Sequence, residues 1–141
     1  MTPTHFHLLE KLFAKARINT KLYPTAKIDV SKGACIIHLD ITNSYHHGME
    51  AVHGSVYFKM LDDAAYFAAN SVVEDCYLLT TNFNIHMLRP IASGKIKASG
   101  SLRMKSRHLW IADAVLHDQN GKEIAYGTGH FSKSNTPITP V

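Results

Sequence analysis

The sequence predicts an α+β fold in which one long helix packs against one antiparallel sheet, with an extra helix at the N-terminus. Three observations point there. Residues 54–72, "GSVYFKMLDDAAYFAANSV", read as a helix in which Leu61, Ala64, Ala65, Phe67 and Ala68 suit burial. Four later segments alternate apolar and polar residues with the period of a strand. Two of those segments are joined through Gln119-Asn120-Gly121, and Asn-Gly is a strong hairpin signal.

Taken in order, Phe6, Leu9, Leu12, Phe13 and Ala16 recur at three- and four-residue spacing and predict an amphipathic helix over about 4–17. Lys11, Lys15 and Arg17 lie off that stripe, on a solvated face. After Pro24, "ACIIHLDIT" sets Cys35, Ile37, Leu39 and Ile41 against Ile36, His38 and Asp40, a strand with one buried face, in a region with room for one strand or two. "NSYHHGMEAVHG" then breaks the period and leads into the central helix. Its small stripe of Ala64, Ala65, Ala68 and Ala69 permits close approach by the sheet or by a second helix. In "YLLTTNFNIHML", Leu79, Thr81, Phe83, Ile85 and Met87 are expected on one face, with Thr80, Asn82, Asn84 and His86 on the other. "GKIKASGSLRMKS" sets Ile96, Ala98, Leu102 and Met104 against Lys95, Lys97, Arg103 and Lys105. "HLWIADAVLHD" and "KEIAYGTGHFSKS" form the hairpin, and residues 134–141 are expected to fray as a flexible tail.

At 141 residues the chain is expected to form a single domain over 1–141. Cys35 and Cys76 are far apart and in no Cys-x-x-Cys pattern, which argues against a disulfide scaffold or a cysteine zinc site and for a reducing compartment. No apolar run approaches the roughly 20 residues of a membrane helix, and Glu10, Lys11 and Lys15 interrupt any signal-peptide pattern. A cytoplasmic protein without a membrane partner is the expectation. The net charge of +4 suits a polyanionic ligand, but no Lys/Arg-rich stretch argues for nucleic acid.

The adjacent acids inside the central helix need a reason. Asp62 and Asp63 project about 100° apart, so they are not expected to line one pocket together. One should be functional or buried and the other a surface residue or ion-pair partner. At the helix start, Gly54 is either a simple cap or a place where a ligand approaches unpaired backbone N–H groups. His46, His47, His53 and His86 show none of the tight spacings of zinc motifs, so no metal site is expected.

"VHGSVYFKMLDDAAYFAANS", followed by "NFNIHMLRPIASGKIKASGSL", resembles the hotdog-fold acyl-CoA thioesterases of the phenylacetate-pathway (PaaI-like) type. Their pattern is a His-Gly-Gly opening the central helix, an Asp or Glu nine residues after the His, and a strand ending near Arg-Pro. Here these are His53-Gly54-Ser55, Asp62 and Arg89-Pro90, and the likeness runs over about 34–133. The resemblance implies a hotdog fold, a long central helix wrapped by the sheet. It implies Asp62 as general base or nucleophile, and the Gly54 amide polarising the thioester carbonyl. Thr80 matches a residue that positions the attacking water. His53 itself reads as an orienting residue at the helix start rather than a base. His47 stands where relatives carry Asn or Gln; its imidazole can donate the same hydrogen bond, or it is an exposed loop residue. Ser55, replacing the second Gly, is assigned with Tyr66, Asn82 and Arg89 to the substrate. Arg89, Lys95, Lys97, Arg103, Lys105 and Lys133 are candidates for coenzyme A phosphates, or solvated strand residues.

The activity so implied is hydrolysis of an acyl-CoA thioester, with no cofactor beyond the coenzyme A of the substrate. A dehydratase or hydratase of the same fold, using His53 with Asp62, and a non-catalytic acyl-CoA-binding module are the alternatives. Residues 54 and 62 lie eight positions apart, about 12 Å along one helix, too far to serve one carbonyl. Two antiparallel helices across a two-fold axis remove the difficulty. A homodimer with shared sites, or a tetramer built from it, is the expectation, and it is the family's arrangement.

Overall fold

In the computed structural model, which describes residues 3–139, the N-terminal stretch forms two helices. These are α1 (Pro3–Lys15) and α2 (Arg17–Leu22), separated at Ala16, whose ψ of 129° leaves helical geometry. The stripe expected on one helix is there, with Leu9 and Phe13 buried. The strands are β1 (Lys27–Ser31), β2 (Ala34–Asp40), β3 (Cys76–Met87), β4 (Lys95–Lys105), β5 (Trp110–His117) and β6 (Glu123–Pro137), with the central helix α3 (Gly54–Asn70) between β2 and β3. They make one sheet of order β1-β2-β4-β5-β6-β3, antiparallel at every pairing. The sheet wraps α3, which touches all six strands, and α1 packs against β1. No helix among the described residues is long and apolar enough to cross a membrane.

The small stripe of α3 explains how closely helix and sheet pack. Ala64, Ala65, Ala68 and Ala69 are fully buried, and the first two lie against β4 at Gly100. A Cβ at residue 100 would overlap the Ala64 carbonyl and lie 2.9 Å from the Ala65 nitrogen. Only glycine leaves room for the helix backbone there. Around this contact Ile37, Leu39, Ile96, Ala98, Ala114 and Leu116 fill the inner face of the sheet.

The C-terminal end of α3 is fixed by Asn70, which has no exposed surface. Its Nδ2 donates to the Val73 and Cys76 carbonyls (3.1 and 3.2 Å), and its Oδ1 accepts from the Leu78 amide (2.9 Å). One side chain thus ends the helix and sets where β3 begins. Ser71 adds a bond from its Oγ to the Ala68 carbonyl (2.7 Å) and accepts the Gly33 amide (2.8 Å).

Three strand expectations are corrected. On β3 it is Leu78, not Leu79, that enters the core, and Leu79 is exposed. A bulge causes the change: Thr80 pairs with Phe131 and Asn82 with His130, so Thr81 is the extra residue. Leu78 and Thr80 therefore share the helix-facing side with Phe83, Ile85 and Met87. On β4 a second irregularity, between Leu102 and Met104, leaves Met104 exposed. Residues 134–137 do not fray; they continue β6, with Pro137 opposite Cys76 at the start of β3. Residues 140 and 141 of that expected tail lie outside the described residues.

Replacing Gly100 by Ala should force helix and sheet apart, costing roughly 3 kcal/mol, the upper part of the usual overpacking range. Gly48→Ala, where a new Cβ meets nothing within 4 Å, should be near neutral. Thermal melts of the two variants check this; equal melting temperatures would refute the contact's importance.

Candidate functional site

Two separate constellations flank α3. At its start His53 is the cap: its Nδ1 accepts the Ser55 amide (3.0 Å) and lies 2.8 Å from Ser55 Oγ. The neutral ring then carries its proton on Nε2. The preceding loop is held on several sides. His47 N donates to the Ala51 carbonyl (2.9 Å), Val52 N to Ile91 O (2.9 Å) and His53 N to Tyr45 O (2.9 Å). His46 Nε2 lies 2.7 Å from the Ala92 carbonyl. Glu50 takes a left-handed φ of 61° to close this turn.

A cleft of about 300 Å³ opens beside the helix start, lined by His47, Val52, Gly54, Tyr57, Met87, Leu88, Arg89 and Pro90. Tyr57 Oη donates to the Arg89 carbonyl (2.8 Å) and ties the end of β3 to the helix. His47 Nδ1 accepts the Met49 amide (3.1 Å), which leaves Nε2 as its donor. A Cβ on Gly54 would lie 3.0 Å from Met87 Cε, so glycine keeps this backbone open to the cleft.

The second constellation centres on Asp62. Thr80 Oγ1 donates to Asp62 Oδ1 (2.9 Å), a bond that depends on the β3 bulge turning Thr80 inward. The surrounding cavity of about 290 Å³ has mostly apolar walls: Leu12, Phe13, Ala16 and Ile18 from the N-terminal helices, with Tyr66, Phe67 and Tyr77. Burial among these groups raises the Asp62 carboxyl to about 6; the Thr80 bond pulls it down, while the neighbouring Asp63 charge pushes it up. Tyr66 Oη donates to the Leu78 carbonyl (2.8 Å), and burial raises its phenol well above the ordinary value.

Asp63 lines the same cavity, contrary to expectation. The 100° between the two acids holds, but residues of the N-terminal helices line one cavity beside both of them. Asp63 is nonetheless the ion-pair member, bonded to Lys59 one turn earlier. Burial raises its carboxyl and Lys59 opposes that. The Lys59 ammonium also sits over the Tyr23 and Phe13 rings, 4.9 and 5.4 Å from their centroids.

The expected site residues are therefore divided. Asp62, Thr80 and Tyr66 share one cavity; Gly54, His47 and Arg89 share another. His53 and Ser55 face a third, beside Tyr23 and Tyr45. Asn82 is exposed on β3 opposite His130 and lines none of these three. Sequence reasoning missed Asn19, which is buried in the Asp62 cavity with Nδ2 bonded to the Phe13 carbonyl (2.8 Å) and Oδ1 unpartnered. Nothing in a single sequence says that a polar residue on a short N-terminal helix will face an acid more than forty positions later. Among the described residues no group of three or more His, Cys, Asp or Glu gathers as metal ligands would.

Comparison with known proteins adds the family. A model of the thioesterase superfamily matches residues 49–125, more than half of the chain. The PaaI protein of the E. coli phenylacetic acid degradation operon superposes with a TM-score of 0.85 at 20% identity, over 96% of each chain. A thioesterase from Haemophilus influenzae gives 0.78 at 14% identity, over 92% of this chain and 90% of that one. A mutant thioesterase from Pseudomonas aeruginosa gives 0.81 at 17% identity, over 98% and 97%. At these identities the structures establish the shared hotdog fold. No match is found among curated proteins.

The raised Asp62 carboxyl has a consequence for stability. The folded chain holds this proton up to a pH of about 6, against an ordinary value of 3.8, so stability falls as pH rises between those values and is level above. Asp62→Asn should thus stabilise the fold by on the order of 2 kcal/mol at pH 8, and by almost nothing below pH 4. Denaturant titrations at both pH values test it; a gain independent of pH would refute the burial argument.

Proposed function

The chain belongs to the thioesterase superfamily, and from that premise we propose that it hydrolyses an acyl-CoA thioester to a carboxylic acid and free coenzyme A. The observation that carries this reading is Asp62: a carboxylate raised to about 6, hydrogen-bonded by Thr80 and walled by apolar groups. Such a group is ionised at neutral pH yet basic enough to take a proton. In this mechanism Asp62 removes a proton from water as the water oxygen attacks the carbonyl carbon. The carbonyl electron pair moves onto oxygen, where the N–H of the partner subunit's Gly54, at a helix N-terminus, stabilises it. The carbon–sulfur bond then breaks, and the departing thiolate takes the proton from Asp62. Direct attack by the Asp62 carboxylate is the variant of the same proposal.

Sharing between two chains belongs to the proposal. Gly54 and Asp62 open into different cavities of one chain. The strand beside them, β3, is a 12-residue sheet edge, and Phe58, Leu79, Met87 and Leu88 are exposed. A long edge with exposed apolar side chains favours pairing with a second copy. A dehydratase reading draws less support: His53 Nδ1 is engaged by the cap of its own helix.

Asp62→Asn should reduce kcat/KM at least roughly a hundredfold. The wild-type profile should fall below a pH of about 6, as Asp62 takes up its proton. Asp63→Asn should keep most activity at pH 8 and move that acid limb to lower pH, because removing the Asp63 charge and freeing Lys59 both favour the Asp62 carboxylate. A limb unmoved in Asp63→Asn, or equal loss in both variants, would overturn the assignment. Mixed refolding tests the shared site. His47 shares the cleft of Gly54 and keeps Nε2 as a donor, so the proposal assigns it to the same oxyanion. Asp62→Asn and His47→Ala chains, each nearly inactive, should then regain about a quarter of wild-type sites when paired at random. No recovery, with heterodimers seen by native mass spectrometry, would refute it.

A further inference from the structure

The face of the sheet turned away from α3 carries a file of basic side chains that none of the above uses. Lys27 on β1 pairs with His38 on β2, His38 with Lys97 on β4, and Lys97 with His117 on β5. Directly paired residues point to the same side of a sheet. The side here is the outer one, because the neighbours Ile37, Leu39, Ile96, Ala98 and Leu116 are buried. Three inter-strand spacings give the file a span of roughly 14 Å. Among the directly paired positions a carboxylate meets the file at its far end, where Glu123 stands opposite His117; Asp29 and Asp40 share the face, two residues along from Lys27 and His38.

Three of the four, His38, Lys97 and His117, line a groove. With Lys95 they bound a space of about 490 Å³ whose lining also includes Asp118, Gln119 and Gly121 of the β5–β6 turn. Two of the nearby acids already have partners, while Asp29 and Glu123 form no ion pair among the described residues. Asp118 Oδ1 accepts the Asn120 and Lys122 amides (2.9 Å each), and Asp40 lies 3.6 Å from Lys95. Lys27 and Lys97 form no ion pair among the described residues, and His117 Nδ1 is buried without a partner. We propose that this groove binds an anion carrying two or more phosphates, of the pyrophosphate or nucleoside-diphosphate class. Adjacent lysines and imidazoles supply N–H donors at intervals that a single small anion does not span.

Two sources offer this chemistry: the nucleotide end of a coenzyme A thioester, or a free nucleotide. The groove lies next to the segment that reaches the helix start, since Gly94 backs onto Gln119 and accepts the Ile41 amide while Ile91 accepts that of Val52. The test begins with binding and needs no turnover, so it stands apart from the thioesterase reading. Inorganic pyrophosphate is titrated into the full chain and followed by amide NMR shifts and calorimetry. Shifts should centre on residues 38, 97 and 117, and Lys97→Ala and His38→Ala should each weaken binding roughly tenfold. Lys11→Ala, on α1, should leave it unchanged. No binding, shifts centred elsewhere, or wild-type affinity in both groove variants would overturn the site. KM is then compared for one acyl group carried on coenzyme A and on pantetheine, which lacks phosphates. A rise in Lys97→Ala confined to the coenzyme A substrate supports the site with the substrate's own nucleotide in it. Unchanged KM for both carriers, with pyrophosphate binding still weakened, supports the site with a free nucleotide.

Discussion

The close packing of α3 on β4 at Gly100 is the constraint from which the rest of the molecule follows. Bringing the helix backbone against a strand requires small residues on both sides, and Ala64 and Ala65 meet a glycine there. This contact fixes the rotation of the helix. Asp62, two positions before Ala64, then points about 200° away from the contact, out of the sheet's inner face. What covers that side is supplied by the edge strand β3 and the N-terminal helices. The acid is therefore held in place by the core but surrounded by the periphery.

That division explains how a carboxylate keeps an elevated pKa without being sealed in. Walls of Leu12, Phe13, Ile18 and Phe67 remove water, while Thr80 supplies one hydrogen bond and Lys59 a cation held one turn away by Asp63. Desolvation outweighs both helpful groups, and the balance leaves the group titrating at about 6. A second hydrogen bond from β3 would pull it back towards the ordinary range, and full exposure would do the same.

The order and kind of the elements were legible because periodicity reports burial: Ile37 and Leu39 on β2, Ile96 and Ala98 on β4, and the alanines of α3 face inward as their spacing predicts. What periodicity cannot report is the partner. The bulge at Thr81 arises from the pairing of β3 with β6, and it moves Leu79 outward and Thr80 inward without any local signal. Ser134–Pro137 look like a frayed tail, being polar with a proline, yet backbone pairing with the start of β3 holds them in a strand. The N-terminal stripe gave burial correctly but not the surface it covers, and for that reason Asp63 and Asn19 in the Asp62 cavity were unreadable. The acid pair and Gly54 stood out from the residues themselves, whereas the choice of Asp62 over Asp63 and the naming of Thr80 came from a resemblance to a family, which encodes tertiary neighbours that one sequence lacks.

The separation of the two constellations along α3 connects stability with chemistry. A helix rises about 1.5 Å per residue, so an N-terminal oxyanion donor and an acid two turns later cannot converge on one carbonyl. Moving the acid closer would place it in the first turn, where the positive helix end and solvent would lower its pKa and weaken it as a base. Keeping it two turns in allows burial under α1 and β3 but gives up the donor of its own helix. In the proposed assembly an antiparallel second copy supplies that donor, and the same contact covers Leu79, Met87 and the unpaired edge of β3. The apolar edge that would otherwise invite aggregation then becomes the means by which each acid meets a helix N-terminus.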